Sequence, residues 1–533
     1  VASPAVPQAA QLHRAHPIRT ILLALTLALP LVAGAQESTP KPPAPTSDQS
    51  ETRPQVPLTK DQAKELLASV DQILEFVSKD TGLPITRTVK RRLISREEVT
   101  RYLMKKFDED ESTKRLEHGE VVLKKFGLLD RDFQLRPFLI RLLTEQIAGF
   151  YDEKTKTVNL LDYVAPDEQK PVLAHELTHA LQDMRVDLDK WSDLTPPGDP
   201  KNVQEDNRRI QVDESGAARE AVTEGQAMVT LLDYRMRSTG KTVADAPGIA
   251  ENLKDAVSDT SDSPIMARAP LLLQQTLMFP YVEGLGFEAA VLAKGGKQQA
   301  FAGTLATPPS STFEIIHPQA YLNHVPVPVL PLPDLRPILA PDYSFYDLGV
   351  MGELDVRILV ELFGGRDIAN ALSPEWDGGV YYAVQRNDAT AAAKLTPASI
   401  GLLYYSRWKN DDSARSFLRI YAGQLARKYS GLKRRPRDEL TDESGYSEQV
   451  YSTTEGDVLL SSKGKMVYAF EGFPVAQART MRAAIAAIQT SGPIFQADAP
   501  KASPDLTSGL THLAATLNLA VPLTSGRYTS QGK

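Results

Sequence analysis

Apolar residues recur every three to four positions through much of 59–305 and in blocks beyond 343, with short β-prone runs between them. Thr59 and Gln62 form a capping-box pair ahead of an amphipathic stretch reaching Val77. Ser95 and Glu98 repeat that signature and open a helix to about Phe107, while 88–95 reads as a strand. Helices are expected near 112–126 and 133–147. The run GFYDEKTKTVNLL, 149–161, places two β-prone stretches around the polar turn 152–156, which predicts a hairpin. A helix follows at about 168–184, and a long one at about 213–236 with Asp213 as its N-cap. The polar, Pro-containing stretch 193–209 between them predicts a loop. Residues 264–305 are again helical, 307–322 are expected to be irregular, and the Pro-rich segment 326–342 reads as a connection.

Beyond it the pattern predicts a helix at 343–363, strands at 379–386 and 399–406, and a helix at 411–429. Three short runs in QVYSTTEGDVLLSSKGKMVYAFEGF and a last helix at 474–489 follow. The expected fold class is α+β: a mostly helical domain with a small sheet over 59–325, and a C-terminal α+β domain with a small antiparallel sheet over 343–490. Residues 491–533 carry little pattern and read as a loose tail.

Length, charge and composition add further constraints. A chain of 533 residues is too long for a single core. A net charge of −7 argues against nucleic acid as the partner, because phosphate binding needs a basic surface. Arg14 and Arg19 precede the apolar run ILLALTLALPLV (21–32) and the small-residue site Ala33-Gly34-Ala35, which reads as a secretory signal over 1–35. Export to the periplasm or the exterior is therefore expected. The run is too short to leave a stable membrane span after cleavage. Residues 36–58, rich in Pro and small polar residues, read as a linker. With no Cys in the chain, disulfides are excluded and any metal must be held by His, Asp or Glu.

The chemistry concentrates in PVLAHELTHALQD, 171–183. His175 and His179 are four apart, so on a helix both imidazoles reach one point, with Glu176 close enough to contact a water there. Two imidazoles and no thiolate suit Zn²⁺, which lowers the pKa of its water to about 7 so that a carboxylate can take the proton. With eight His in the chain, a chance HExxH arises on the order of once in a hundred such sequences. A catalytic zinc needs a third protein ligand. In REAVTEGQAMVTLLDY (219–234), Glu224 sits within an otherwise apolar helix, and Gly225 after it would let another helix approach closely. Glu220, one turn earlier, is the alternative ligand, or an acceptor for a ligand imidazole.

HELTHALQD with a downstream Glu resembles the gluzincin class of zinc metallopeptidases and is distantly thermolysin-like at the motif. The wider pattern, GFYD before the motif, then EGQA, PPSST and IIHP, resembles a poorly characterised group of exported bacterial gluzincin-like proteins over roughly 90–325. The separation of His179 from Glu224 is longer than in thermolysin proper. The resemblance implies a zincin-like fold, zinc on His175, His179 and Glu224, and Glu176 as the base.

Asp183, one turn after His179, could orient it from behind or face solvent. His317, in the Pro/Ser-rich segment, is the first candidate for stabilising an oxyanion, with Tyr234 and Tyr151 as weaker ones. The hairpin at 149–161 could offer an edge strand to an extended peptide, or serve only as scaffold. The function expected is a zinc-dependent endopeptidase outside the cytoplasm acting on a peptide or protein substrate. The alternatives are a non-catalytic exported binding protein on the same scaffold and a hydrolase of cell-wall material.

Overall fold

In the computed structural model, the described residues are 57–489 except 110, 148, 193, 195–197, 247, 249–263 and 441–444. The expected signal, most of the linker and the tail lie outside them. Among the described residues no helix is long and apolar enough to cross a membrane.

Helix α1 (Lys60–Thr81) starts on the capping box expected for it: Thr59 Oγ1 accepts from the Gln62 N–H, and Gln62 Oε1 accepts from the Thr59 N–H. Its buried stripe of Leu66, Val70, Ile73, Leu74 and Val77 faces the later helices. Strand β1 (Lys90–Ile94) leads through the Ser95–Glu98 cap into α2 (Arg96–Glu109), α3 (Glu111–Phe126) and α4 (Leu135–Gln146). The hairpin forms as β2 (Gly149–Asp152) and β3 (Thr157–Leu161). Strand β1 joins β3 in parallel, so the small sheet runs β1-β3-β2 with β2 at an edge.

Helix α5 (Pro166–Val186) carries the HExxH pattern and is buried on every side from Val172 to Asp183. Polar residues on such a helix need partners within the protein. Gln169, for example, clamps both main-chain groups of Leu161. Helix α6 (Val203–Val212) begins within the stretch expected to be a loop and takes up its last part, 203–209. Asn202 caps it by accepting from the Glu205 N–H, and only Asp206, Ile210 and Val212 are buried, a stripe too narrow to stand out in the pattern. Asp213 is not the N-cap of the next helix. It keeps helical angles at the end of α6, and its carboxylate accepts from the Val350 N–H. Helix α7 (Ser215–Met236) packs on α5 and on α8 (Leu271–Lys297). Two short helices, α9 (Thr312–Ile316) and α10 (Pro318–Leu322), correct the expectation of irregular chain at 307–322; Ser311 caps the first.

Residues 343–363 are not one helix. Tyr343–Val350 is strand β4, and α11 (Glu353–Gly364) follows, with Asp355 accepting from the Gly352 N–H. The alternating aromatic and apolar residues of β4 pair antiparallel with β5 (Trp376–Arg386). Strands β6 (Ile400–Trp408), β7 (Lys433–Arg434), β8 (Ser447–Thr453), β9 (Gly456–Lys463) and β10 (Met466–Glu471) complete an antiparallel sheet ordered β4-β5-β6-β10-β9-β8-β7. At seven strands it is larger than expected. Both faces are covered. Val380, Tyr382, Leu403, Tyr405 and Phe470 meet α13 (Val475–Gln489) and Leu330, Leu332, Leu335 and Leu339 of the Pro-rich segment. On the opposite face Tyr404 meets Phe417 of α12 (Asp411–Lys428) and Phe126 at the end of α3. The segment 326–342 is thus built into this core, and Phe126 ties the helical part to the sheet. The α+β class holds.

Candidate metal centre

The site rests on α5 and α7. One helical turn sets His175 and His179 side by side, with ring planes at 79°. Glu224 reaches them from α7. His175 Nε2 lies 3.1 Å from Glu224 Oε2 and 3.2 Å from His179 Nε2, and the third side, His179 Nε2 to Glu224 Oε2, is 3.5 Å. These three buried ligand atoms converge on one point and could hold a metal ion. Glu220 is buried too but lies outside the group.

Next to Glu224, α7 is crossed closely by α8, whose Tyr281 also stacks on the His175 ring. Gly225 and Gly284 allow the two main chains to touch: a Cβ on Gly225 would overlap the Gly284 carbonyl, and one on Gly284 would overlap that of Ala221. The partner that exploits Gly225 is therefore α8, not the HExxH helix.

Electrostatics tie the triad together. Burial opposes ionisation of Glu224, yet the charge on His179 and the hydrogen bond from His175 outweigh it and hold the carboxyl down at about 2. Burial likewise opposes charge on His179, and Glu224 overcomes it, raising that ring to about 9. Glu176 is fully buried beside them, and its Oε2 accepts from the Tyr151 N–H at 2.8 Å, tying the carboxylate to edge strand β2. Burial pushes Glu176 above the usual carboxyl range, against the pull of His175 and His179.

The other expected residues are placed elsewhere. Asp183 does not orient His179: its buried carboxylate takes Arg87, Lys156 (2.8 Å), the Tyr151 hydroxyl (2.7 Å) and the Leu188 N–H. Gln182 takes the part instead, its Oε1 accepting from His179 Nδ1 at 2.8 Å. The Tyr151 hydroxyl is committed to Asp183 and Arg87. Tyr234 packs on Phe76 and under Arg237, about 15 Å along α7 from Glu224 at 1.5 Å per residue. His317 sits between α9 and α10, pairs with the buried Glu353 at 2.7 Å, and is not one of the three grouped ligands. Gln182 and its partner Gln226 were missed from sequence. Their signal was the one that exposed Glu224: polar side chains on helices otherwise apolar.

Comparison of the chain with protein-family models, curated proteins and solved structures finds no match.

Proposed function

We propose that the protein is an exported zinc-dependent peptidase, with His175, His179 and Glu224 as the metal ligands and Glu176 as the general base. The observation that carries the reading is the triangle of 3.1, 3.2 and 3.5 Å. Donor atoms each about 2.0–2.1 Å from a tetrahedral zinc lie roughly 3.3–3.4 Å apart. Two imidazoles and one carboxylate also make a catalytic zinc set, with one position left for the reactants.

Zinc bound there would supply Lewis acidity, polarising the scissile carbonyl and making water a nucleophile near neutral pH. Glu176 takes the proton from the attacking water and returns it to the leaving amine. Its raised pKa is in the direction a base working near neutral pH needs. The Tyr151 N–H holds the carboxylate in place. Edge strand β2 lies beside Glu176, with its four residues buried. The gluzincin-like motif, with its third ligand on the next long helix, supports a zincin-like fold. Residues 1–35 support export.

One observation favours a second reading. His175 and Glu176 are 0% exposed, Glu224 1% and His179 3%. Such closure fits a non-catalytic exported protein in which the metal is structural. One experiment separates the two. The purified protein is expected to hold about one zinc per chain and to cleave unfolded casein. Glu176→Gln should keep the zinc and lose about 10²–10⁴-fold in rate. Zinc without cleavage by the unaltered protein selects the second reading, and absence of zinc removes both.

A further inference from the structure

We infer that Gln182 and Gln226 form a positioning relay through which the π-helical turn Gln298–Gly303 keeps a proton on Nδ1 of His179 and so aims its Nε2 at the metal position. The relay deepens the zinc reading, on which its effect on affinity rests.

The assignment starts from the main chain. In an α-helix the Thr304 N–H would bond to the Ala300 carbonyl. Here it bonds to Gln299 O, one residue further back. The Ala300 carbonyl is thereby left to side chains, and it accepts from Thr304 Oγ1 at 2.7 Å and Gln226 Nε2 at 2.9 Å. Gln226 also faces the Phe301 carbonyl at 3.1 Å and Thr304 Oγ1 at 2.9 Å. The Ala300 and Phe301 carbonyls can only accept, and the buried Glu288 carboxyl also lies against Gln226 and Thr304. Only the amide nitrogen can sit there.

Each further step is then forced. With its nitrogen fixed, Gln226 presents Oε1 to Gln182, whose Nε2 donates to it at 2.9 Å and to the Thr223 carbonyl at 2.9 Å. Both hydrogens of the Gln182 amide are used, so its oxygen faces His179 Nδ1 at 2.8 Å. An amide oxygen only accepts, so Nδ1 must carry a proton. When the ring gives up its other proton, the lone pair left at Nε2 faces His175 and Glu224, the form a metal requires. Gln182, Gln226 and Thr304 are all completely buried, which keeps water from offering alternative partners. The arrangement belongs to His179 alone: among the described residues His175 Nδ1 has no hydrogen-bond partner. Thus α5, α7 and the turn after α8 meet in one polar chain ending at a ligand.

The test uses the full chain labelled with ¹⁵N in histidine, with and without Zn²⁺, together with zinc competition against a chromophoric chelator. His179 should show a proton on Nδ1, protected from exchange, in both states. Gln182→Met should speed that exchange and weaken zinc binding roughly 10–100-fold. Gln226→Met should do the same although it touches no ligand, and the double variant should be no worse than the weaker single one. Additive losses, or unchanged exchange and affinity in Gln226→Met, would overturn the relay. A bare Nδ1 in the unaltered protein overturns it even where a variant does not fold. If the protein binds no zinc, the metal reading fails, while Nδ1 exchange still decides the relay.

Discussion

Gly225 and Gly284 meet main chain to main chain, one residue past the carboxylate that completes the metal triad. Gly225→Ala should force α7 and α8 apart and cost roughly 1–3 kcal/mol or more. Because Glu224 is the adjacent residue, zinc content should fall with stability. Thermal unfolding and metal analysis on the same sample check both; an alanine tolerated with full zinc would contradict the close crossing.

Removing zinc should lower stability by mass action. Free zinc at 100 times its Kd contributes roughly 2.7 kcal/mol to the folded state. A chelator should therefore reduce the Tm of the unaltered protein, and His175→Ala should abolish the difference. Equal Tm values with and without chelator would count against binding at this site.

Stability should also fall as pH rises toward 8, through acids remote from the triad. Burial, reinforced by Asp347, Glu214 and Asp355, raises Asp213 to about 7, against the hydrogen bond from the Val350 N–H. Burial beside Glu214 raises Asp355 to about 7, against the Gly352 N–H. The unfolded reference is 3.8, so the folded chain binds these protons more tightly. Their stabilisation is complete below about pH 4 and is lost as pH passes through about 7, at most roughly 4 kcal/mol per group. Asp213→Asn and Asp355→Asn should each flatten the fall in Tm between about pH 5 and 8, measured at fixed zinc. A variant as steep as the unaltered protein would show that its carboxyl does not titrate there.

A different buried charge holds the second sheet to its helix. Glu471 accepts from Lys428 Nζ at 2.6 Å and from the hydroxyls of Tyr421 and Tyr429, all within the core. Burial opposes its charge, but Lys428 and Lys125 prevail and keep the carboxyl ionised. Glu471→Leu should strand Lys428 and cost about 3–5 kcal/mol, whereas adding Lys428→Met should recover much of that loss. Urea unfolding of the two variants gives the comparison, and a double variant worse than the single one would refute it.

The sequence was most informative where one local period carried the information. HExxH spacing placed His175, Glu176 and His179 together, and the Thr59–Gln62 and Ser95–Glu98 caps fixed two helix starts. Glu224 was legible because a carboxylate in an apolar helix needs a reason. What failed depended on distant partners. Residues 343–350 became a strand because β5 lies beside them, and α6 formed on a three-residue stripe. Asp183 and Gln182 are adjacent in sequence, yet Arg87 and Lys156 claim the first while Gln226 orients the second. No local pattern ranks those two as partners of His179.

The burial of α5 around its whole circumference has a kinetic consequence. A surface helix can loosen from its wet side while the rest of the fold persists. From Val172 to Asp183 this one has no wet side. Its amides should exchange with solvent only when the surrounding helices separate, at the slowest rates in the molecule. The ligand helix would then be the last element to give way.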